Sequence, residues 1–149
     1  MNKFHLGLAA SLLALGATAC NQESKTGETK AGGSGSTASA PMVTEAPNGD
    51  WSKLVNMTAD GGMLLGNPNA KVKVVEFASM TCSHCADFAT QDKPKLVDQY
   101  IKSGDVSFEF RNYVLNGYDL AATVIARCGG PSRFFPVAES MFTSQASWI

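Results

Sequence analysis

The pattern of apolar and polar residues predicts regular structure only from about residue 51 onward. Short apolar runs at 54–58 and 63–66 lie on either side of a glycine-containing turn, which predicts a pair of short strands. Residues 72–77 are β-branched and largely apolar, which favours a buried central strand over an edge strand. Residues 106–111 alternate apolar and polar side chains, as is typical of a strand with one buried face.

Helical periodicity occupies the segments between and after these strands. Residues 83–102 are predicted as one helix, amphipathic in its second half and kinked near Pro94, where the ring removes a backbone donor. Because this helix connects two strands, a parallel βαβ unit with a right-handed crossover is expected. A Gly-Gly-Pro sequence separates two further predicted helices, at 120–128 and 133–143.

The first 19 residues have the three parts of a signal peptide: basic Lys3, an apolar run at 6–16 and small residues at 17–19. The apolar run is shorter than the ~20 residues that cross a bilayer, so an uncleaved membrane anchor is the less favoured alternative. Cys20 follows directly, and this junction resembles the lipobox of bacterial lipoproteins, in which the cysteine is acylated and becomes the new N-terminus. The small residues would also suit an ordinary signal peptidase. We expect export, cleavage before Cys20 and lipidation of Cys20.

Residues 20–50 contain no aromatic side chain and are rich in small and polar residues. Such a segment cannot bury a core, so it is expected to be a flexible linker. The predicted organisation is a signal peptide at 1–19, a linker at 20–50 that is lipidated at its start, and one folded domain at 51–149. The formal net charge of −1 gives no indication of nucleic-acid binding.

The candidate chemistry is concentrated in the sequence Cys82-Ser83-His84-Cys85, between a predicted strand and a predicted helix. At a helix start, unpaired backbone N–H groups and the positive end of the helix dipole favour the thiolate of Cys82. Cys85, one turn later, is expected to be more buried and to attack a mixed disulfide. His84 can donate to the Cys82 thiolate or add positive charge, and a dithiol whose reduced form is stabilised is a stronger oxidant. We therefore predict Cys82, Cys85 and His84 as catalytic residues in thiol-disulfide exchange.

Three other interpretations of the two cysteines are less favoured. A zinc site needs four ligands, and the remaining candidates are Cys128 and His5, which lies in the predicted signal peptide. A covalent haem site needs histidine directly after the second cysteine, where Ala86 stands. A structural disulfide would close a very small loop and constrain the unfolded chain little. The sequence thus indicates no metal and no cofactor, and Cys128 is interpreted as a small buried residue on its helix.

The residues around the motif, 74–88, resemble the active-site strand and helix start of the DsbA family of thioredoxin-fold oxidoreductases. The resemblance extends to Pro94 and to segments at 60–70, 108–113 and 126–128. It implies an α/β, thioredoxin-like fold with an inserted helical subdomain. It also implies that the activity is disulfide bond formation in exported proteins, with Cys82 attacked and Cys85 resolving.

The resemblance further implies partners and a location. The partners would be reduced or misoxidised exported proteins, a membrane redox partner that reoxidises the dithiol, and the membrane itself through a lipid anchor, but no nucleic acid. The location would be the periplasm or cell envelope. The alternatives within the same chemistry are a disulfide reductase or isomerase, and the alternative from another class is a non-catalytic truncated fragment or binding module.

Two features depart from the family pattern. Ser83 replaces the proline that is common in the motif. After the helical insertion, the family's chain continues into a cis-proline loop, two antiparallel strands and a last helix, whereas this sequence stops at Ile149. Because a sheet without its last strands exposes an unpaired edge, we expect an incomplete domain whose C-terminal strands and helix are missing.

Overall fold

The computed structural model describes residues 45–149, so Cys20, the predicted signal peptide and most of the predicted linker lie outside the described residues. The strands are β1 (Val55–Met57), β2 (Met63–Gly66), β3 (Val72–Ala78) and β4 (Val106–Asn112). The α-helices are α1 (Ser83–Asp87), α2 (Lys93–Leu96), α3 (Gly117–Cys128) and α4 (Pro131–Thr143). Two π-helical segments, Phe88–Asp92 and Val97–Ile101, and three 3-10 turns, Pro47–Gly49, Trp51–Lys53 and Gln145–Ser147, complete the regular structure of this range.

The four strands form one mixed sheet in the order β1-β2-β4-β3. β1 pairs with β2, and β2 with β4, in antiparallel fashion, while β3 runs parallel to β4. In the turn between β1 and β2, Thr58 donates its N–H to the Gly62 carbonyl at 2.8 Å, and Gly61 adopts a φ of 78°. The predicted strand pair and the predicted parallel βαβ unit are therefore confirmed.

β3 differs from its prediction as a buried central strand. Among the described residues it is an edge strand, because its one partner is β4. On one face of the strand, Val75 and Phe77 are 44 and 64% exposed, and Val72 at the start of the strand is exposed as well, at 54%. The opposite face of the strand meets the core, where Ala78 is buried and Val74 packs against the buried cluster. The apolar run thus predicted a strand correctly. It did not predict that the strand lies at an edge of the sheet with one face exposed.

The helical run that follows β3 is continuous but not uniform. Just before Pro94, the N–H of Lys93 reaches back five residues to the carbonyl of Phe88 instead of four. This π-turn accommodates Pro94, whose nitrogen cannot donate a hydrogen bond. The sequence predicts a simple kink at this point instead. The run ends at Gly104, whose φ of 89° and close approach to Trp51 leave no room for a Cβ atom.

The core lies between the sheet and the helices, and aromatic rings dominate it. Phe108 and Phe110 on β4 face Phe134, Phe135 and Phe142 on α4, all of them buried. The rings of Phe110 and Phe134 have centroids 5.3 Å apart in a tilted arrangement, a favourable geometry for aromatic pairs. Phe134 and Phe135 therefore serve the packing of this core.

The buried face of α3 is not the one with the large apolar side chains. Leu120, Val124 and Ile125 are more than half exposed, and Cys128 is exposed as well. The buried side of the helix carries Asp119, Ala122, Thr123 and Ala126. The interpretation of Cys128 as a buried residue is therefore wrong. Small side chains bring α3 close to α4, and that contact turns the bulky residues and Cys128 outward.

Candidate active site

Cys82 and Cys85 lie at the junction between β3 and α1. Ser79 shapes the turn that precedes them: its carbonyl accepts the N–H of Cys82 at 3.2 Å and its Oγ accepts the N–H of Thr81 at 3.1 Å. Cys82 is the N-cap of α1, and its Sγ accepts the N–H of Cys85 at 3.4 Å. Both cysteines are half-buried free thiols. The strand-to-helix position predicted for the motif is thus observed.

The environment of Cys85 keeps its proton in place. Burial first, and then the hydrogen bond with the Cys82 side chain, raise the pKa of the Cys85 thiol to about 11. A hydrogen bond from the Ser79 backbone acts in the opposite direction. At neutral pH, Cys85 is therefore a thiol that shares a hydrogen bond with the sulfur of Cys82.

His84 lies on the surface of the helix start. Its side chain is 95% exposed, and its Nδ1 lies 4.0 Å from Oδ2 of Asp87, one turn along the helix. At that exposure, water and salt screen the charge of a protonated imidazole. The structure places His84 beside Asp87 on the surface, so its influence on Cys82 would act through charge at the helix start rather than through burial.

Glu76 is a functional candidate that the sequence analysis did not single out. It lies on β3 with its side chain half-buried, and burial raises its pKa to about 7, while Lys93 acts in the opposite direction. Its negative charge is one of the causes that raise the pKa of Cys85, so the two groups interact electrostatically. The available signal was a carboxylate inside a largely apolar, β-branched run.

Lys93 is a second candidate that was missed, and it carries a charge into the interior. Its side chain is 6% exposed, and its Nζ donates to Oε1 of Glu139 on α4 at 2.5 Å. The ammonium also lies over the rings of Phe135 and Phe108, 4.9 and 5.9 Å from their centroids. Lys93 thus connects the helical run behind the dithiol to α4 and lowers the pKa of Glu76.

Within residues 45–149, no three His, Cys, Asp or Glu side chains converge in a way that could hold a metal ion. In the same range, every helix is too short or too polar to cross a membrane. The chemistry that the arrangement supports is that of two neighbouring thiols beside an ionisable carboxyl group.

Comparison with known proteins gives matches over this part of the chain. A family model described as Thioredoxin matches residues 58–149. Disulfide bond formation protein D of Bacillus subtilis is 32% identical over 89 residues, which are 57% of this chain and 40% of that protein.

Two solved structures are similar. A protein-disulfide isomerase from Novosphingobium aromaticivorans is 40% identical with a TM-score of 0.56, over 57% of this chain and 43% of that one. Wolbachia pipientis alpha-DsbA1 is 31% identical with a TM-score of 0.57, over 62% of this chain and 47% of that one. The chain spans less than half the length of these relatives.

Proposed function

Because this chain belongs to the thioredoxin family, we propose that it is a protein thiol-disulfide oxidoreductase that forms disulfide bonds in exported proteins. The resemblance to DsbA proteins and the thioredoxin-like α/β fold expected from the sequence are confirmed by the family match and by the structural neighbours. The single observation that carries the proposal is the pair of free thiols at the start of α1, where Cys82 accepts the N–H of Cys85.

The proposed reaction starts from a Cys82–Cys85 disulfide. A client thiolate attacks Sγ of Cys82, the S–S bond breaks, and its electron pair goes to Sγ of Cys85, which takes up a proton. A second client thiolate then attacks the client sulfur of the mixed disulfide and releases Cys82 as thiolate. The client loses two electrons and gains a disulfide, and the chain is left as the dithiol that the structure contains. A membrane redox partner would remove the two electrons again.

Cys85 is a poor leaving group unless a proton arrives, because its thiol pKa is about 11. Glu76 is the group suited to supply that proton, since its pKa of about 7 leaves it protonated in part of the molecules at neutral pH. In the reverse direction, ionised Glu76 would accept the proton of Cys85. We therefore assign Cys82 and Cys85 as the reacting residues, Glu76 as proton donor and acceptor, and His84 as a surface imidazole at the helix start that favours the reduced form when it carries a proton.

The test is disulfide transfer to a reduced, unfolded client protein by the oxidised chain, followed as loss of client thiols. Wild type and the Cys128→Ala control are expected to oxidise the client at equal rates, because Cys128 lies outside the site, while Cys82→Ser abolishes transfer. Transfer no faster than with oxidised glutathione alone would contradict the proposal. The equilibrium with glutathione separates an oxidase from the reductase or isomerase alternatives. The reduction potential of thioredoxin-like reductants is about −270 mV, whereas that of strong oxidants is about −120 mV.

We also propose that the chain is exported, that residues 1–19 are removed, and that lipid-modified Cys20 anchors a domain at 51–149 through the linker at 20–50. The support is the signal-peptide pattern followed at once by cysteine and by a segment without aromatic residues. Mass spectrometry of the mature protein should find acyl mass on an N-terminal Cys20 in the membrane fraction. A mature chain without acyl mass would contradict lipidation.

A further inference from the structure

The helices α3 and α4 and the turn Gln145–Ser147 form a helical subdomain. Two of its buried polar side chains reach the loop that carries Cys82. Asp119, in the first turn of α3, is completely buried, and its Oδ1 accepts the N–H of Met80 at 2.9 Å. Gln145, which follows α4 and is 8% exposed, donates from Nε2 to the carbonyls of Met80 at 2.9 Å and Cys82 at 3.0 Å. The peptide groups on both sides of Met80 are therefore bound by side chains more than thirty residues away in sequence.

Asp119 is itself held by further hydrogen bonds. The second carboxylate oxygen of Asp119 accepts the N–H of Leu115 at 2.9 Å, and its own N–H is capped by Asn116. Asn116 also donates to Oγ1 of Thr81 at 3.0 Å. The loop between β3 and α1 is thus bound from the start of α3 and from the end of α4 at once.

The carbonyl of Cys82 accepts two hydrogen bonds. It accepts the N–H of Ala86 at 3.1 Å, the first hydrogen bond of α1, as well as the amide of Gln145. The same residue places its Sγ on the N–H of Cys85. A shift of the Cys82 backbone would therefore move the sulfur relative to the one donor that the helix start gives it.

We propose that Gln145, supported by Asp119, is a positioning residue for thiol-disulfide exchange: it holds the Cys82 backbone so that Sγ stays on the N–H of Cys85. Through it, the helical subdomain sets the balance between dithiol and disulfide. This inference rests on the function proposed above, but it concerns residues that have no contact with a reacting sulfur.

The direction of the effect follows from the hydrogen bonds. Without the Gln145 amide, the loop can relax, the Cys85 N–H stabilises a Cys82 thiolate less well, and the reduced form loses stability relative to the disulfide. The chain becomes a weaker oxidant. One or two lost hydrogen bonds correspond to a change of roughly three- to tenfold in the equilibrium constant.

The test uses Gln145→Met in the full chain, because methionine keeps the length and most of the volume of glutamine but has no amide. The measured quantity is the equilibrium constant of the reaction in which protein disulfide and two glutathione thiols give protein dithiol and glutathione disulfide. The matched control is Ser147→Ala in the same turn, whose hydroxyl is exposed and donates only to the Ser144 carbonyl. Gln145→Met is expected to lower the constant roughly three- to tenfold, while the control stays at the wild-type value.

Gln145→Asn, which keeps the amide on a shorter stem, is expected to give an intermediate constant and carries the test if the methionine variant does not fold. A folded Gln145→Met with a constant within about twofold of Ser147→Ala would overturn the inference, because a merely structural residue would lower the unfolding temperature without moving the constant. If wild type itself exchanges no disulfide with glutathione, the proposed function fails instead, so the two failures are distinguishable.

Discussion

At the scale of single residues, the two thiols of the motif are chemically unequal although only two positions separate them. Cys85 is held as a thiol by burial and by its hydrogen bond to Cys82, which raise its pKa to about 11. Cys82 caps α1 and is paired with a backbone donor. The proton balance of the site therefore depends on groups near Cys85, and Glu76 is the one whose pKa of about 7 lies in the working range.

Glu76 gives a prediction for stability. Its pKa is raised from the ordinary 4.5 to about 7 in the folded chain, so between those values the folded chain binds a proton that the unfolded chain has lost. Stability should therefore fall as pH rises from about 4.5 to 7 and then level off. Glu76→Gln should flatten this profile and raise the free energy of unfolding above pH 7 by about 1–2 kcal/mol, allowing for solvent screening of a half-buried group.

Denaturant unfolding of the reduced protein between pH 4 and 8.5 measures this profile. Asp92→Asn serves as the control, because that carboxylate lies on the surface and should leave the pH dependence of the wild type intact. A Glu76→Gln profile parallel to that of wild type would show that Glu76 does not titrate in this window.

In the same variant, client oxidation should slow most at pH 6, where the lost carboxyl proton matters, and least at pH 8.5.

At the scale of elements, the sequence predicted the kinds of element well and their surroundings less well. Apolar runs around a glycine turn, a β-branched run and period-two alternation identified the four strands, and a Gly-Gly-Pro sequence marked the end of α3 and the start of α4. The helix after β3 was predicted without its π-turns, since side-chain periodicity does not report which carbonyl a backbone N–H selects. The predicted burial was wrong for β3 and for Cys128 on α3, because tertiary neighbours decide which side of an element is covered.

The site could be predicted to a similar extent. The two cysteines were found from their spacing and from their position between a strand and a helix. Glu76, Lys93, Asp119 and Gln145 were missed, because a buried polar residue looks like a surface residue until its partners are known. Gln145 is the extreme case, since the carbonyls that it binds lie 65 and 63 residues earlier in the chain.

The buried face of α3 provides a prediction at this scale. Ala126 is completely buried where α3 approaches α4, whereas Ala121 on the same helix is exposed. Ala126→Leu should destabilise the protein by about 1–3 kcal/mol through overpacking, and Ala121→Leu should change stability by less than about 0.5 kcal/mol. Unfolding in denaturant compares the two variants directly. Equal stability of the two leucine variants would contradict the observed orientation of α3.

At the scale of the whole molecule, polar side chains connect the sheet and its active-site loop to the helical subdomain. Lys93 reaches Glu139 on α4, and Arg127 on α3 donates to the carbonyl of Gly61 at 2.8 Å. Gln145 binds the loop that carries Cys82. The helical subdomain therefore supports the redox site. We propose that these contacts together direct thiol-disulfide exchange to the sulfur of Cys82.

Trapping of the mixed disulfide tests that claim most directly. In the full chain with Cys85→Ala, Cys82 has no resolving partner, so a client presented as a disulfide should stay bound to it. Peptide mapping by mass spectrometry is expected to find the client on Cys82, and the trapped species should disappear in Cys82→Ser/Cys85→Ala. Absence of a trapped client, or a client bound at Cys128 with Cys82 unmodified, would contradict the account.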